Sequence, residues 1–413
     1  MDTATDPTRT PFAGPGLDEI EAARAIVARV AQPTPLETSR YLTDVLGAPV
    51  ILKCENLQRT GSFKLRGAYV RIAGLSPAER AAGVVAASAG NHAQGVALAA
   101  QLLGCSSTVF MPEGAPIPKV QATRAYGAEV RFAGATVDDA LVAAKQFSEE
   151  TGAVFIHPFD HEDVIAGQGT AGLEILDQCP DVKTVVVCTG GGGLVAGIAA
   201  AVKASRPDVE VVGVQASGAA AFPVSLEAGE PVKLPSMSTM ADGIAVGRPG
   251  DITFTHVRDL VDRVVTVDDD ALSRALLLSL ERAKLVVEPA GAAALAAVME
   301  QPTAFAPPVV VVLSGGNIDP LLLSKVIRHG LIAAGRFLSM SVRIPDRPGE
   351  LARLLACLAG AGANVLDVAH TRTGKELHLD EVQVEMQVET RGAEHTEAVV
   401  SSLLAASYAV HRT

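Results

Sequence analysis

The chain has 413 residues, of which 48% are hydrophobic and 19% charged, and this composition indicates a compact, ordered protein long enough for two or three domains. With 46 acidic and 34 basic residues, the formal net charge is −12, which argues against a nucleic acid as the main partner. The five cysteines lie far apart and form no CxxC pair, which argues against a disulfide scaffold or a zinc site and favours buried thiols in a reducing cytoplasm.

Two segments need to be separated from the folded core. Residues 1–16 are polar and rich in proline and threonine, and we expect them to form a disordered leader. Residues 184–202 are uncharged over about the length of a membrane span, but four glycines in succession at their centre would weaken a spanning helix. A buried strand, a glycine turn and a helix explain this run better, so we expect no membrane partner.

Between about residues 83 and 335, short apolar runs alternate with longer amphipathic runs. The predicted strands lie at 84–88, 108–111, 129–132, 154–157, 184–189, 209–215 and 309–313. The predicted helices lie at 92–103, 118–126, 137–150, 164–178, 194–204, 270–284, 290–299 and 320–334. This alternation predicts an α/β fold of parallel sheets covered on both faces, and the length favours two such sheets with a cleft between them.

The pattern changes from residue 337 onward. The predicted order is a strand at 339–344, a helix at 350–359, strands at 365–371 and 381–389, a helix at 393–404 and a last strand at 408–411. This βαββαβ order predicts a small α+β ferredoxin-like unit. Because we find no pair of nucleophile and base in it, we interpret the unit as a dimerisation or ligand-sensing module.

Lys64 lies in the run Ser62-Phe63-Lys64-Leu65-Arg66-Gly67-Ala68, where a loop gives way to a helical pattern. Ser62 is the predicted N-cap of this helix. The positive end of a helix dipole and burial in an apolar cleft both favour the neutral amine, which can attack an aldehyde. Taken alone, a lysine at this position is much more often a solvated side chain in the first turn of a helix.

Four successive glycines, 190–193, lie between a predicted strand and a predicted helix. Their backbone N–H groups can surround a phosphate at the helix N-terminus. A dinucleotide site is the main alternative, but the spacing is not GxGxxG and the next strand ends at Gln215, where an acidic ribose ligand would be needed. A P-loop is disfavoured because no Lys-Ser/Thr pair follows. The pattern therefore favours a phosphomonoester.

Two further turns follow predicted strands. In Ser88-Ala89-Gly90-Asn91-His92, the Asn91 amide and the helix-start N–H groups can bind a carboxylate or a ring hydroxyl, although a plain helix cap is the alternative. In Leu313-Ser314-Gly315-Gly316-Asn317, the serine hydroxyl can donate to an unprotonated ring nitrogen, although a surface turn is the alternative. His157 and His161, with the acidic residues between and after them, have the composition of a metal cluster, but we interpret them as a solvated loop and predict no metal site.

Taken together and in this order, the four motifs resemble those of the threonine dehydratases (threonine ammonia-lyases). These are fold-type II pyridoxal-phosphate enzymes of the tryptophan synthase β superfamily. The resemblance covers about residues 17–335 and implies two parallel-sheet α/β subdomains, with the smaller one (about 55–160) inserted in the larger. The tail, residues 337–413, resembles a single ACT regulatory domain, on the strength of residues 346–351.

The resemblance also implies a role for each motif. Lys64 would hold pyridoxal 5'-phosphate covalently and act as the catalytic base, and Phe63 would pack near the ring. Asn91 would bond the phenolic oxygen, and Ser314 would face the pyridine nitrogen. The phosphate would be bound by Gly190, Gly191, Gly192, Gly193 and Leu194. The substrate carboxylate would be bound by Ser88, Ala89, Gly90, Asn91 and His92. Residues 241–246 match a stretch that lines the cofactor pocket in this family.

The implied reaction converts L-threonine to 2-oxobutyrate and ammonia, with L-serine to pyruvate as a side activity. The implied protein is a cytoplasmic homo-oligomer, a dimer or tetramer, with an amino-acid or nucleotide effector bound by the ACT domain. Serine racemase is an alternative, but such enzymes usually carry a second serine where this chain has Ala89. Cysteine synthase and threonine synthase look different around the lysine and asparagine turns. A non-catalytic amino-acid sensor is the alternative of another class, and the intact Lys64 argues against it.

Overall fold

The computed structural model describes residues 14–372 and 377–412, so residues 1–13 of the expected leader lie outside the described residues. The chain divides into two compact units, Met1–Pro320 and Leu321–Thr413. Within the described ranges, no helix is both long and apolar enough to cross a membrane.

The first unit is built from alternating strands and helices. Its strands are β1 (Leu36–Thr38), β2 (Val50–Lys53), β3 (Val84–Ala87), β4 (Ser107–Met111), β5 (Glu129–Phe132), β6 (Val154–Phe155), β7 (Thr184–Cys188), β8 (Glu210–Ala216), β9 (Arg263–Val267) and β10 (Val309–Val312). Its helices are α1 (Leu17–Val27), α2 (Arg40–Leu46), α3 (Lys64–Ala73), α4 (Pro77–Ala82), α5 (Asn91–Leu102), α6 (Ile117–Ala125), α7 (Val137–Thr151), α8 (Glu162–Gln178), α9 (Gly193–Ser205), α10 (Ala221–Ala228), α11 (Asp251–Leu260), α12 (Asp269–Leu278) and α13 (Pro289–Glu300).

These strands form two sheets, as the sequence predicts. The larger has the order β1-β2-β10-β7-β8-β9 and is parallel except for β1 at its edge. The smaller has the order β5-β4-β3-β6 and is parallel throughout. The central strands β3, β7 and β10 are buried along their whole length, because valine-rich strands suit a sheet that is covered on both faces. The sequence pattern missed β1, β2 and β9.

Three of the four predicted motifs begin where a parallel strand ends, and the Lys64 motif follows β2 after two short 3-10 helices. The Lys64 loop follows β2, the Asn91 turn follows β3, the glycine loop follows β7 and the Ser314 turn follows β10. In open parallel sheets, the crevice at the carboxyl ends of the strands is the usual ligand-binding position. The topology therefore brings together motifs that are far apart in the chain.

The second unit has the predicted βαββαβ order. Helix α14 (Pro320–Ala333) precedes strand β11 (Phe337–Pro345), which is followed by α15 (Glu350–Gly360), β12 (Asn364–Thr371), β13 (Glu381–Glu389), α16 (Ala393–Ala405) and β14 (Ala409–Arg412). The four strands form an antiparallel sheet in the order β12-β13-β11-β14, which is the ferredoxin-like arrangement. Strands β11 and β13 alternate buried apolar and more exposed residues, because the two helices cover only one face of the sheet.

A buried ion cluster joins α3 to α8 and to the segment after β2. The Arg66 guanidinium, on α3, donates to Glu55 at 2.8 Å and to Glu174, on α8, at 2.7 Å. Lys53, the last residue of β2, donates to Glu174 at 2.6 Å. The side chains of Arg66, Glu55 and Lys53 are 0% exposed. Burial alone would raise the pKa of Glu55, but Arg66 reverses the effect and holds that pKa below its usual value.

Replacing Arg66 with Met should lower the free energy of unfolding by about 3–5 kcal/mol, because the buried Glu55 would lose its ion-pair partner and Glu174 would keep only Lys53. The same change at Arg40, whose side chain is 95% exposed and pairs with Asp44, should lower it by less than about 1 kcal/mol. Urea unfolding of the first unit measures both values. Equal losses for the two variants would contradict a specific contribution of the buried cluster.

Candidate active site

Lys64 is the first residue of α3, and its preceding loop is attached to the turn after β10. Phe63 donates its backbone N–H to the Ser314 carbonyl at 3.2 Å, and Ser62 forms an isolated antiparallel bridge with Gly315. The predicted N-cap role of Ser62 is wrong. Phe63 precedes the helix with helical torsions (φ −59°, ψ −19°), and the buried Ser62 hydroxyl has no partner among the described residues. Ser62 is extended (φ −165°, ψ 163°), as N-cap residues usually are, but its hydroxyl accepts no N–H from the first turn of α3.

The Lys64 amine has the properties of a nucleophile. Burial lowers its pKa to about 8, although Cys188 and Glu288 favour the charged form. Its Nζ donates to the Pro158 carbonyl at 2.8 Å and lies 5.1 Å from the centroid of the Phe63 ring. A substantial fraction of the amine is therefore neutral near physiological pH, as Schiff-base chemistry requires.

The glycine loop forms a narrow turn into α9. Gly192 has φ +102°, which L side chains rarely adopt. A Cβ added to Gly191 would lie 2.4 Å from the Phe159 ring, so the loop backbone fits closely against that ring. The Gly191 carbonyl is held from outside the loop, because it accepts from the Thr253 hydroxyl at 2.6 Å. The first N–H groups of α9 have no partner within the helix and are oriented for an anion.

The loop also lies beside two other parts of the site. Phe159, which contacts the loop, follows Pro158, whose carbonyl accepts from Lys64. A Cβ built on Gly190 would lie 3.1 Å from the Cα of Ile244, in the short 3-10 helix Asp242–Ile244. The segment 241–246 therefore borders the glycine loop, next to the position predicted for a phosphate.

Ser314 is 3% exposed, and its hydroxyl accepts from the Cys188 thiol at 3.1 Å. Burial raises the pKa of Cys188 to about 11, so the thiol keeps its proton and donates it. Because Ser314 accepts from Cys188, its own proton is available to a third group. A ring nitrogen without a proton would be such an acceptor.

The turn after β3 has a defined local structure. The Ser88 hydroxyl accepts from the Gly90 N–H at 3.1 Å, and α5 begins at Asn91. Residues 88–91 are half-buried. The His92 imidazole instead points into the core and hydrogen-bonds the Ile156 carbonyl at 2.9 Å, and burial lowers its pKa to about 3. Of His92, only the backbone N–H is therefore positioned to contact a carboxylate in the cleft.

The Asn91 side chain is held on both sides by residues from other turns. Its Oδ1 accepts from Asn317 Nδ2 at 2.8 Å, and its Nδ2 donates to Glu288 Oε1 at 2.5 Å. Asn317 Nδ2 also donates to the Thr60 carbonyl at 2.5 Å. Thr60 itself adopts left-handed torsions (φ 64°, ψ 7°), which are rare for a β-branched residue.

Two buried groups of the site, Cys188 and Glu288, were not predicted from the sequence. Glu288 is 6% exposed at the N-cap of α13, and burial raises the pKa of its carboxyl to about 7, assisted by Asp242. A signal was present, because Glu288 is the only charged residue in the run 285–298 and precedes a proline at the first position of a helix. Cys188 gave no such signal, since a buried thiol after a valine run is ordinary.

The histidines after β6 organise loops. His157 Nδ1 accepts the Asp160 N–H at 2.7 Å, and His161 Nδ1, at the start of α8, accepts the Asp163 N–H at 3.1 Å. Burial lowers the pKa of His157 to about 4, so its ring is neutral. Over the described ranges, no group of three or more His, Cys, Asp or Glu residues is arranged to hold a metal ion.

Comparison with known proteins identifies the family. A model described as pyridoxal-phosphate dependent enzyme matches residues 27–315. The chain belongs to this family. The L-threonine ammonia-lyase of Thermotoga maritima is 46% identical over 394 residues, which are 95% of this chain and 98% of that protein. Among solved structures, the processed form of threonine deaminase isoform 2 from Solanum lycopersicum has a TM-score of 0.72 at 38% identity, covering 78% of this chain and 98% of its own. The structure of maize serine racemase has a TM-score of 0.72 at 37% identity, and the match covers 77% of this chain and 98% of that chain.

The residues in the cleft fit pyridoxal phosphate. Lys64 supplies an amine with a lowered pKa for the aldehyde, and the glycine loop leaves room for an anion where side chains would collide with Phe159. The buried Ser314 hydroxyl is available to a ring nitrogen, and the Asn91 amide to a phenolic oxygen. These donors match the functional groups of the cofactor in kind and in number.

Replacing Gly191 with Ala should weaken cofactor binding at least about tenfold, because the new methyl group would displace the Phe159 ring and with it the loop. Gly114→Ala is the control, since a Cβ there meets no atom within 4 Å. Titration of cofactor-free protein, followed by absorbance, gives both dissociation constants. A Gly191→Ala variant that binds as tightly as the control would contradict the assigned phosphate position.

Proposed function

We propose that this chain is a pyridoxal-phosphate-dependent threonine ammonia-lyase, which converts L-threonine to 2-oxobutyrate and ammonia and acts on L-serine as a side activity. The observation that carries the proposal is the convergence of Lys64 with three separate strand-end turns. They offer an anion cradle, a donor for a ring nitrogen and a donor for a phenolic oxygen. Similarity to the Thermotoga maritima enzyme over 95% of the chain supports the choice of substrate.

When bound, pyridoxal phosphate supplies an electron sink for the charge that develops at the substrate α-carbon. The protein supplies a base and a fixed orientation. Lys64 Nζ accepts the α-proton, and its lowered pKa suits proton transfer near neutral pH. Helix α5 presents its first N–H groups to the substrate carboxylate, and the Ser88 hydroxyl fixes the turn that carries them. Ser314, as a neutral donor, leaves the ring nitrogen without a full positive charge, which favours elimination over transamination.

The Asn91 turn favours elimination over racemisation. Serine racemases usually carry a second serine that acts on the opposite face of the substrate, whereas this chain has Ala89 at that position. An alanine offers no proton donor or acceptor there, so proton transfer is confined to the face where Lys64 lies. This difference favours the ammonia-lyase over racemase activity, although the maize serine racemase structure has a similar fold.

The proposal extends to the cell compartment and to assembly. All five cysteines are unpaired, as expected for a protein of the reducing cytoplasm. We also propose that the chain forms a homo-oligomer, a dimer or tetramer, and that residues 337–413 form an ACT domain that binds an amino-acid or nucleotide effector. The ferredoxin-like sheet of the second unit supports this assignment, as does the end of the family match at residue 315.

The function is tested by assaying the purified protein on L-threonine and L-serine for 2-oxo acid, for ammonia and for the D-enantiomer. We expect 2-oxobutyrate and ammonia in equal amounts, visible absorption from the cofactor, and no D-serine. Lys64→Ala should lose the absorption band and reduce the rate by about 10³-fold or more. Lys145→Ala, at an exposed lysine, should match the wild type. A wild-type protein that is colourless after cofactor addition, or that produces D-serine as its main product, would overturn the proposal.

Regulation is tested by adding isoleucine, valine and AMP, each in turn, to the full-length enzyme and to a variant lacking residues 337–413. We expect at least one compound to change the threonine dependence of the full-length enzyme, because effector binding and substrate binding are coupled through reciprocal free energies. The truncated enzyme should keep its activity and lose the response. An unchanged response after truncation would contradict a regulatory role for this unit.

A further inference from the structure

Glu288 is a buried titratable group for which the proposed reaction has no use. Its carboxyl lies at the N-cap of α13, and it is packed so closely on the turn after β10 that a Cβ on Gly315 would lie 2.4 Å from Oε1. The Glu288 backbone N–H also donates to the Gly315 carbonyl at 3.0 Å. A buried carboxyl is costly unless it is hydrogen-bonded, so its contacts indicate what it contributes.

The contacts form a chain of hydrogen bonds with only one possible direction. The Thr60 carbonyl can only accept, which fixes the NH₂ end of Asn317 toward it. The same NH₂ group donates to Asn91, which must therefore present its oxygen to Asn317 and its nitrogen to Glu288. Glu288 is the acceptor at the end of the chain. Without it, the Asn91 amide would be held only through its oxygen, by Asn317.

The consequence concerns the second hydrogen on Asn91 Nδ2. One N–H is bonded to Glu288, and the other makes no hydrogen bond to the described residues, although the side chain is half-buried. We propose that Glu288 is a positioning residue that fixes the Asn91 amide so that this second N–H donates to the phenolic oxygen of the cofactor. The inference deepens the proposed function and rests on it, because it assumes that the cofactor occupies this cleft.

The charges around Glu288 make the strength of its hydrogen bond to Asn91 depend on pH. Burial raises the pKa of the carboxyl to about 7, and Asp242 acts in the same direction. The Asn91 hydrogen bond, Lys119 and Lys64 act in the opposite direction, and the Cys188 thiol is also nearby. Above this pKa the carboxylate accepts the Asn91 N–H as a charge-assisted bond, and below it the bond is weaker. The Asn91 amide is therefore held more firmly as the pH rises through about 7.

The test compares four variants of the full-length holoenzyme: Glu288→Ala, Glu288→Asp, Glu288→Gln and Asn91→Ala, together with the double variant Asn91→Ala/Glu288→Ala. The readouts are the pH dependence of the visible absorption band of the bound cofactor and the cofactor dissociation constant. A glutamine oxygen can accept the same N–H at the same distance, whereas aspartate keeps the charge but is one methylene too short. Positioning of Asn91 therefore predicts that glutamine replaces Glu288 better than aspartate does.

We expect Glu288→Ala and Glu288→Asp to bind the cofactor about tenfold more weakly and to show an altered band, while Glu288→Gln stays close to the wild type in affinity but loses the pH dependence near 7. In the Asn91→Ala background, Glu288→Ala should add no further loss, because residues that act through one contact are not additive. If Glu288→Ala does not fold, the inference is decided by whether Glu288→Gln binds the cofactor more tightly than Glu288→Asp does.

Three results would overturn the inference. The first is an aspartate variant that binds better than the glutamine variant, which would indicate that only the buried charge matters. The second is fully additive losses in the double variant. The third is a Glu288→Ala variant with the wild-type band and affinity. In each case a wild type that binds the cofactor and turns over threonine leaves the proposed function intact, whereas a colourless wild type would overturn both.

Discussion

The position of Lys64 depends on the buried ion cluster two residues further along its helix. Arg66 faces Glu55, from the segment after β2, and Glu174, from α8, so three parts of the first unit meet at one guanidinium. A buried charge cannot exchange its partners for water, and any rotation or shift of α3 would leave carboxylates unpaired. The cluster therefore fixes the register of α3, and through α3 it fixes where the Lys64 amine enters the cleft. Hydrophobic packing alone would tolerate small shifts of the helix, because apolar contacts are not directional.

The strands with the clearest sequence pattern are those whose surroundings are uniform. Strands β3, β7 and β10 are runs of valine and alanine that lie between layers of helices, so composition alone identifies them. Strand β2 escaped notice because it ends in Lys53, and a lysine in an apolar run normally indicates the end of burial. Its charge is neutralised by Glu174, which lies 121 residues away and cannot be paired with Lys53 from the sequence. Strand β9, with an arginine and half-buried valines at the edge of the sheet, carries too weak a pattern.

The functional site likewise has features that the local sequence predicts and features that depend on long-range contacts. Each strand-end turn has a local signature of glycine, serine or asparagine, and the parallel topology then gathers the turns without further information. The contacts that orient the polar groups are long-range: Ser314 meets Cys188, and Asn91 meets Glu288 and Asn317. The groups predicted to face a ligand therefore have local sequence signatures, whereas the residues that orient those groups through long-range contacts do not. The Ser62 error has a similar origin, because the position of its hydroxyl relative to the first turn of α3 cannot be read from the sequence.

The torsions of Thr60 have an evolutionary consequence. A threonine at φ 64° costs of order 1 kcal/mol or more relative to a residue suited to that region, and its buried hydroxyl has no partner among the described residues. The carbonyl that this conformation presents is the acceptor that fixes Asn317. The backbone conformation of one residue thus sets the orientation of an amide group in the neighbouring turn. Selection for heat resistance alone would favour glycine or asparagine here, because either residue adopts these torsions at a lower cost and still presents the same carbonyl to Asn317.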